Sequence, residues 1–396
     1  MTTIYLIRHA EAEGNLYRRI HGWYDSLITE NGYRQIEALE ERFRGVHIDA
    51  VYSSDLFRTR TTAQAVCVPK GLELRTDPGL REMNLGDWED LPFGEVRHRW
   101  PEEMDRFNRN DDSWSAPGGE DFYQLGERIE QAVRRIALNH PNQTVALFSH
   151  GMAIRQLISR VREVPPADWY TVPHGDNTAV TRLTFDGERL AIQLELDNAH
   201  LPEAISTLAR QAWWRKDKSK SEDVNLWYRP ICWETEKDLY RQARQDAWTA
   251  IHGEGLPFDG AGFLADAEDC LSRTPWGVTL AFAGESLAGM FQIDPERYRE
   301  DNAGYIPFCY IVPERRGQSL GVQLIGQAVS VFRPMGRDRL RLRCAPYNAH
   351  AQHFYRKYGF VKIGDDLGGR VPLELLEKYI GRQTRLSGRE TEGYRG

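Results

Sequence analysis

The sequence predicts an α/β protein, because buried strand patterns alternate with helical patterns along most of its 396 residues. In the first half, three apolar runs are continuous and rich in β-branched or aromatic residues, as parallel strands are. These runs are "TIYLI" (3–7), "DAVYS" (49–53) and "TVALFS" (144–149). Helical patterns separate them at 31–44, 58–67 and 120–139. The length favours two domains, since a domain usually holds roughly 100–200 residues.

The remaining elements follow in order along the chain. "TAVTRLTF" and "LAIQLEL" flank "DGER", whose Asp-Gly pair predicts a β-hairpin. A second α/β pattern begins near residue 225. Thr235 and Asp238 form a possible capping box for a helix over 236–251. The elements predicted after that helix are two strands within 276–293, the strands "GYIPFCYIVP" and "RLRLRCAP", and a helix over 348–358.

Changes in composition predict the domain boundaries. The run "RKDKSKSED" is dense in charge and has no apolar periodicity, which is typical of a solvated linker. We therefore expect one domain over 1–205, a charged linker over 206–224 and a second domain over 225–382. The polar tail at 383–396 is expected to be disordered.

Charge and composition exclude several classes of function. A net charge of −7 gives no reason to expect nucleic acid or a membrane surface as a partner. No run approaches the roughly 20 apolar residues of a membrane span, and the N-terminus lacks a signal-peptide pattern. The five cysteines are scattered without a CxxC pair, which favours a reducing, cytoplasmic location over a disulfide or zinc framework. The sequence carries no signal of oligomeric state.

Cationic side chains stand where the predicted strands of the first domain end. Arg8 and His9 end the first strand, Arg58 lies about one turn into the helix after the second, and His150 follows the third. Because ligands bind outside the carboxyl ends of strands in open α/β sheets, these residues should converge on one site. Guanidinium groups match phosphate oxygens bidentately, so the pattern predicts an anion site for a phosphate group.

The residues of this site could in principle serve two other chemistries, metal binding and nucleophilic attack by a serine. Two histidines could ligate zinc, but the neighbouring arginines oppose a dication and no third ligand has helical or hairpin spacing. Ser149 could be a nucleophile, but a nucleophile elbow needs Gly two residues before the serine, and Leu147 stands there. We therefore expect neither a metal nor a serine nucleophile.

Five motifs in residues 1 to about 200 resemble those of the histidine phosphatase (phosphoglycerate mutase-like) superfamily. They are "LIRHAEAEGN", "HGWYDSLITENG", "YSSDLFRTRTTA", "LREMNLGDWED" and "FSHG". The resemblance implies a three-layer α/β/α fold in which His9 attacks phosphorus and becomes phosphohistidine. It implies that Glu82 protonates the leaving oxygen. The phosphate pocket that it implies is formed by Arg8, Asn15, Arg58 and His150.

Residues outside these roles are assigned less specifically. His21, His98 and His174 have no motif support and are expected to be structural or to shape the substrate pocket. Ala10 stands where the family usually has Gly, and its methyl should be harmless if its backbone angles are ordinary. No chemistry is expected to pass through Ala10.

The segment after Glu82 resembles the phosphatase branch of this superfamily more than the mutase branch. It reads "REMNLGDWED", whereas mutases carry a longer and different segment there. We therefore expect hydrolysis of a small phosphorylated metabolite. The alternatives are a phosphoglycerate mutase-type phosphotransferase and an inactive binder of phosphate esters.

In the second domain, the strand "FCYIVPE" is followed by "RRGQSLGVQLIGQAV". A strand, a Gly-containing turn and a helix form a geometry that binds pyrophosphate at a helix N-terminus. Together with "APYNAHAQHFYRKYGF", these segments resemble the GNAT acetyltransferase family over about 225–380. The resemblance implies a mixed α/β domain with acetyl-CoA as cosubstrate and an amine as acceptor. Ser319 replaces one glycine of the family's turn.

The resemblance also implies roles for individual residues of this domain. Tyr355 would give a proton to the departing thiolate, and the strand backbone at Ile311 and Val312 would pair with the pantetheine arm. Asn348 would contact the cofactor chain. The turn and the arginine before it would hold the pyrophosphate: Arg316, Gly317, Gln318, Ser319, Leu320 and Gly321.

The sequence says less about Cys309, the acceptor contacts and the general base of this domain. Cys309 is expected to be a small core residue. Trp248, Asp259 and Glu268 are possible acceptor contacts, and no general base is identifiable. The alternative to acetyl transfer is a non-catalytic module that senses acetyl-CoA or packs on the first domain.

Overall fold

The computed structural model describes residues 1–210, 224–367 and 371–381. Most of the predicted linker, 206–224, and the predicted tail, 383–396, lie outside the described residues. The described chain divides into two compact units. The first contains residues 1–91 and 99–210, and the second contains 92–98 with the residues from 224 onward.

Residues 1–210 form strands and helices close to those expected from the sequence. The strands are β1 (Thr2–Arg8), β2 (Ala50–Ser53), β3 (Leu74–Thr76), β4 (Thr144–Ser149), β5 (Val180–Phe185) and β6 (Leu190–Asp197). The helices are α1 (Glu13–Tyr17), α2 (Glu30–Phe43), α3 (Phe57–Lys70), α4 (Phe93–Arg99), α5 (Pro101–Asn108), α6 (Phe122–Leu138), α7 (Gly151–Val161) and α8 (Thr207–Arg210).

The first sheet has the order β3-β2-β4-β1-β5-β6. Strands β1, β2, β3 and β4 are parallel, whereas β5 and β6 form the antiparallel hairpin that the Asp-Gly turn predicted. Arg8 pairs with Ser149, so β1 and β4 end at the same level of the sheet. The residues that follow them, His9 and His150, are therefore neighbours.

Helices cover both faces of the first sheet. Helices α2 and α3 pack with Ile7, Ala146 and Phe148 in one hydrophobic cluster. Since side chains alternate along a strand, the fully buried Ile4 and Leu6 both point to the opposite face from Ile7. Helices α6 and α7 also contact β1. The fold is therefore the three-layer α/β/α arrangement expected from the resemblance.

Residues 206–210, which the sequence placed in a charged linker, pack on the first unit. Asp176 is buried, and its carboxylate accepts hydrogen bonds from Ser206 Oγ at 2.5 Å, Thr207 N at 3.1 Å and Leu208 N at 3.2 Å. It also accepts one from Asn198 Nδ2 at 3.2 Å. This single carboxylate thus caps α8 and ties it to the loop before β5.

The second unit consists of a β-sheet with helices on both of its faces. Its strands are β7 (Leu226–Pro230), β8 (Val278–Ala283), β9 (Ser286–Asp294), β10 (Ala303–Ile311), β11 (Arg339–Cys344), β12 (Val361–Asp366) and β13 (Leu373–Tyr379). Its helices, besides α4, are α9 (Trp233–His252), α10 (Gly260–Arg273), α11 (Gly321–Phe332) and α12 (Ala349–Lys357). Tyr240 of α9 and Ala267 of α10 pack with Phe308 of β10, whereas Gly304, which has no Cβ, faces the Phe332 ring of α11.

The second sheet, ordered β12-β13-β11-β10-β9-β8-β7, contains one parallel pair, β10 and β11. That pairing ends at Ile306 and Leu342, although β10 continues to Ile311. The two strands therefore diverge and leave a gap between their carboxyl ends.

Helix α9 begins three residues earlier than the sequence predicted. Its first residue is Trp233, and the carboxylate of Glu236 accepts the Cys232 backbone N–H at 2.8 Å. The predicted capping box of Thr235 and Asp238 was wrong because Glu236 satisfies the amide at the helix start. In the described part of the chain, no helix has the length and apolarity needed to cross a membrane.

We predict that Asp176→Ala destabilises the first unit by about 3 kcal/mol, because several buried donors lose their charged acceptor. Hydrogen exchange of the amides in β1 and α8 measures this loss directly. Asp186→Ala, which removes an exposed turn carboxylate, should cost less than about 1 kcal/mol. Equal effects of the two substitutions would contradict the role assigned to Asp176.

Candidate functional site

The carboxyl ends of β1 and β4 bring together the two histidines selected from the sequence. The His9 and His150 rings lie 5.2 Å apart, centroid to centroid, and both residues are buried. His9 N donates to Ser149 O at 3.0 Å, which extends the parallel ladder by one residue beyond β1. The positions of both rings therefore follow from the register of the sheet.

His9 is held as a neutral imidazole with a defined tautomer. Its Nδ1 lies 2.7 Å from Ala10 O, and because a carbonyl only accepts, Nδ1 carries the proton. Burial, followed by the charges of Arg58 and Arg8, holds the pKa of His9 well below its usual 6.5. The lone pair is therefore on Nε2, which makes this atom a competent nucleophile near neutral pH.

Ala10 occupies the position of the family's glycine without backbone strain. Among the described residues, those with positive φ do not include Ala10. Its side chain is fully buried, and its N–H donates to Thr62 Oγ1 at 2.9 Å. The methyl group is thus packed at ordinary backbone angles, as the sequence-based interpretation required for it to be harmless.

Arg58 is almost completely buried and is held by carbonyl groups. Nη1 donates to Tyr24 O at 2.8 Å and Nη2 to Gly22 O at 2.7 Å. Burial lowers its pKa to about 10, so the guanidinium stays protonated at neutral pH. Neutral carbonyls orient the cation and leave its charge uncompensated by direct pairing.

Glu89 shapes the loop that holds Arg58. Its carboxylate accepts the backbone N–H groups of Trp23 at 2.7 Å and Tyr24 at 2.6 Å, and also that of Gly22 at 3.2 Å. With their amides fixed in this way, the carbonyls of the loop turn toward Arg58. Glu89 was not selected from the sequence, although it lies in the quoted motif "GDWED".

Arg8 and His150 each present a buried nitrogen with no partner in the described chain, Arg8 Nε and His150 Nδ1. Arg8 Nη1 donates to Gly175 O at 2.6 Å, and His150 Nε2 lies 2.9 Å from Ser54 Oγ. Unpartnered buried polar groups are costly, so these nitrogens indicate a place for acceptor oxygens. The donor set fits a phosphate group.

Glu82 lies at the N-terminus of α7, beside the same pocket. Its carboxylate accepts the N–H groups of Met152 at 3.0 Å and Ala153 at 2.9 Å. Its charge acts on both Arg8 and Arg58. Arg128 of α6 fixes the segment by donating to Glu82 O at 2.8 Å, a contact that the sequence did not reveal.

Asn15 is bound mainly to its own helix. Its Oδ1 accepts the Ala12 N–H at 3.1 Å and so caps α1. Asn177 Nδ2 links it to His9, because it donates to His9 O at 2.9 Å and lies 3.5 Å from Asn15 Oδ1. Asn177 was also missed by sequence reasoning, since an isolated asparagine carries no motif signal.

The three histidines without motif support have different surroundings. His21 Nε2 lies 3.1 Å from Asp90 Oδ1, and its carbonyl lies 3.4 Å from Arg58 Nη2. Burial and then Arg155 and Arg8 lower the pKa of His174 to about 3. His98 belongs to the second unit, where its ring stacks on Trp227 at 3.8 Å. In the described ranges, no His, Cys, Asp and Glu side chains form a group that could hold a metal ion.

In the second unit, the turn before α11 presents free backbone amides. Within the described chain, the N–H groups of residues 317–321 donate to no backbone carbonyl or side chain. Gly317 has φ +79° and Ser319 has φ 59°, so Ser319 adopts the left-handed region that favours glycine. Successive amides at a helix N-terminus suit a pyrophosphate. Leu320 is buried, Gln318 is exposed, and Gly321 is the first residue of α11.

Some of the residues that the resemblance assigns to acetyl-CoA binding form hydrogen bonds within the protein. Val312 N donates to Ala288 O at 3.0 Å, so its amide faces β9. Because backbone groups alternate in direction along a strand, the Ile311 amide faces the gap between β10 and β11. Arg316 Nε donates to Ile311 O at 3.0 Å, and Asn348 Oδ1 caps α12 by accepting the Ala351 N–H.

Tyr355 of α12 lies near the diverging strands. Burial, followed by the charges of Cys309 and Cys344, raises the pKa of its phenol well above 10. The phenol is therefore protonated at neutral pH. Burial also raises the pKa of Cys309 to about 12, so this thiol is unreactive, as expected for a core residue.

The possible acceptor contacts named from the sequence have structural partners. Asp259 caps α10 by accepting the Gly262 N–H at 3.0 Å. Glu268 Oε1 accepts Trp233 Nε1–H at 2.9 Å, and Trp248 Nε1 donates to Leu256 O at 3.1 Å. The structure therefore gives each of them a local role.

Comparisons with known proteins agree with this geometry. Residues 4–198 match the family model "Histidine phosphatase superfamily (branch 1)", and residues 237–360 match "Acetyltransferase (GNAT) family". The chain is 36% identical over 203 residues to phosphoglycerate mutase-like protein 4 of Arabidopsis thaliana, covering 50% of this chain and 87% of that protein. It is 35% identical to the probable phosphoglycerate mutase GpmB of Yersinia pestis, covering 42% of this chain and 77% of the relative.

Bacillus stearothermophilus YhfR is similar with a TM-score of 0.49 and 32% identity, over 50% of this chain and 99% of that one. The match over residues 4–198 and the 36% identical relative show that the chain belongs to the histidine phosphatase superfamily, and the match over 237–360 shows that a GNAT-family domain follows.

Proposed function

We propose that the first unit is a metal-independent phosphomonoesterase that acts on a small phosphorylated metabolite through a phosphohistidine intermediate. The observation that carries this proposal is the state of His9, whose Nδ1–H is bonded to Ala10 O and whose pKa is held low. A buried, neutral and oriented imidazole among arginines is suited to attack an electrophilic phosphorus.

The proposed steps assign one task to each group. His9 Nε2 attacks phosphorus as the bond to the leaving oxygen breaks, and Glu82 supplies a proton to that oxygen. Arg8, Arg58 and His150 stabilise the charge that spreads over the equatorial phosphoryl oxygens. Water then attacks the phosphohistidine and gives a proton back to Glu82, which breaks the N–P bond, releases inorganic phosphate and restores neutral His9 and protonated Glu82.

A mutase remains the second candidate, because both curated relatives named above carry phosphoglycerate mutase in their names. The "GDWED" segment, with Glu89 bonded to the Gly22–Tyr24 loop, supports the phosphatase branch. A phosphorus-31 NMR assay with 3-phosphoglycerate separates the two. Release of inorganic phosphate faster than formation of 2-phosphoglycerate supports the phosphatase, and the reverse order rejects it.

We predict that His9→Ala abolishes hydrolysis of p-nitrophenyl phosphate in the absence of added metal, since the nucleophilic Nε2 is lost. His47→Ala serves as the control, because His47 is an exposed imidazole of the same unit and should retain full activity. Labelling with a radioactive phosphomonoester, quenched in alkaline denaturant because phosphohistidine is labile in acid, should trap phosphohistidine in the control only. Unchanged turnover in His9→Ala would refute the assignment of the nucleophile.

We predict that Arg58→Gln moves the acidic limb of the kcat/KM profile to higher pH. Arg58 lowers the pKa of His9, so its removal raises that pKa and protonates the nucleophile at a higher pH. The ratio of variant to wild-type kcat/KM should therefore fall as pH decreases from 7.5 to about 5.5. Ionisation of the substrate affects both proteins equally and does not change this ratio. Arg60→Gln, an exposed change on the same helix, should give a flat ratio.

For the second unit we propose acetyl-CoA-dependent N-acetyl transfer to an amine. The free amides of 317–321 would bind the pyrophosphate, and the gap beyond Ile306 would receive the pantetheine arm. The acceptor nitrogen attacks the thioester carbonyl, the C–S bond breaks, and Tyr355 protonates the thiolate. The nitrogen loses its proton to solvent. The raised pKa of Tyr355 keeps its phenol in the protonated form that this step requires.

A non-catalytic acetyl-CoA sensor is the alternative for this unit, and the left-handed Ser319 is the feature that favours it. We predict that Ser319→Gly tightens acetyl-CoA binding up to about tenfold, because the left-handed region costs an L-residue about 1–2 kcal/mol. Ser319→Ala, which keeps the strain and removes the hydroxyl, should not tighten binding. Calorimetry measures both variants, and equal affinities for Gly and Ala would contradict a backbone cause.

A further inference from the structure

The α9 side of the second sheet carries a group of three arginines around one tyrosine. Tyr305 of β10 is 5% exposed and pairs with Arg341 just before β10 and β11 diverge. Arg297 Cζ lies 4.8 Å from the Tyr305 ring centroid and Arg343 Cζ lies 5.8 Å from it. We call Arg244, Arg297, Tyr305 and Arg343 the arginine–tyrosine cluster.

Arg244 is a buried cation whose partners are all neutral. It donates to Tyr240 Oη at 2.7 Å and to Gln292 Oε1 at 2.5 Å, and its Cζ lies 4.0 Å from the Phe308 ring centroid. No carboxylate of the described chain pairs with it. Aromatic faces and an amide oxygen stabilise a guanidinium only in part, so an anion nearby would be favourable.

The other two arginines also retain capacity for an anion. Arg343 Nη2 lies 2.8 Å from Asp366 Oδ2, but its Nε is buried without a partner in the described residues. Arg297 forms no ion pair with any described carboxylate. Burial raises the pKa of Tyr305, whereas Arg343, Arg297 and Arg244 all act to lower it, which places all three charges near one phenol.

We propose that the arginine–tyrosine cluster binds an anionic group, a carboxylate or a phosphate, on the acceptor amine of the second unit. This inference rests on the proposed acetyl transfer. The cluster lies at the base of the gap that would receive the pantetheine arm, so a bound anion there would hold an amine beside the thioester. Only one of the three arginines, Arg343, is paired with a carboxylate of the described chain. The cluster therefore favours a negatively charged acceptor over a neutral or cationic amine.

The first test compares acceptors that differ only in charge. Acetylation of β-alanine is compared with that of β-alaninamide, and phosphoethanolamine is compared with ethanolamine, using the full chain and mass detection of the acetylated product. The charged member of at least one pair should have a kcat/KM about tenfold or more above its neutral partner. The pair that responds distinguishes a carboxylate from a phosphate. Equal or better use of the neutral amines overturns the proposal while leaving acetyl transfer intact.

Matched substitutions then locate the effect. Arg343→Gln and Arg297→Gln should each lower kcat/KM for the charged acceptor about tenfold or more through KM, with the neutral acceptor unchanged. Arg299→Gln, an exposed change two residues from Arg297, should behave as wild type. Equal losses for charged and neutral acceptors would overturn the assignment. The kinetic effect of Arg244→Gln is interpreted in the same way only if this variant unfolds at the same temperature as the wild type.

A binding measurement separates the failure of this inference from failure of the proposed function. Glutarate and the neutral glutaramide are titrated into wild type, Arg343→Gln and Arg299→Gln by calorimetry. Glutarate binding that is lost in Arg343→Gln, without acetylation of any amine, supports the anion site and rejects the transferase. Binding of glutarate that is unchanged in Arg343→Gln, or absence of glutarate binding together with no preference for phosphoethanolamine over ethanolamine, overturns the anion site even where neutral amines are acetylated.

Discussion

The burial of positive charge without direct carboxylate pairing is the constraint on which the first unit depends. Arg58 is almost fully buried, yet its guanidinium is held by carbonyls of Gly22 and Tyr24. Charge in such a place is costly unless an anion joins it. The same cations depress the pKa of His9, so the cost of burying them is linked to the protonation state of His9. Anion binding and a neutral imidazole therefore have one physical origin.

This constraint explains why carboxylates near the pocket are bonded to backbone amides. Glu89 accepts three N–H groups of the Gly22–Tyr24 loop, and Glu82 accepts two at the start of α7. Carboxylates placed directly on the arginines would neutralise them and compete with substrate. Bonded to amides, they shape the loops that present the arginines, and the guanidinium charge stays available for a phosphoryl group.

The convergence of the main pocket residues at the strand ends could be predicted from the sequence, because strand ends and motif spacing are local signals. Tyr355 and the turn at 317–321 were found for the same reason. Glu89, Arg128 and Asn177 act through backbone contacts 46 to 168 residues away in the chain, and no local pattern reports such contacts. The packing of Ser206–Arg210 was missed likewise, because its carboxylate partner, Asp176, is distant in sequence. Composition suggested a linker where a long-range hydrogen-bond network exists.

Ala10 and Ser319 each replace a glycine that is usual in the family. They show that the effect of such a replacement depends on the backbone angles at that position. Ala10 has ordinary φ and a buried, packed methyl, so the missing glycine removes nothing that the site requires. Ser319 has φ 59° at the turn that offers its amides to a ligand. At Ser319 the side chain adds strain that a glycine would not have, and a ligand bound to the amides requires the turn to keep this conformation. A bound pyrophosphate could offset that strain by fixing the turn, so the energetic consequence of Ser319 belongs to ligand affinity as well as to stability.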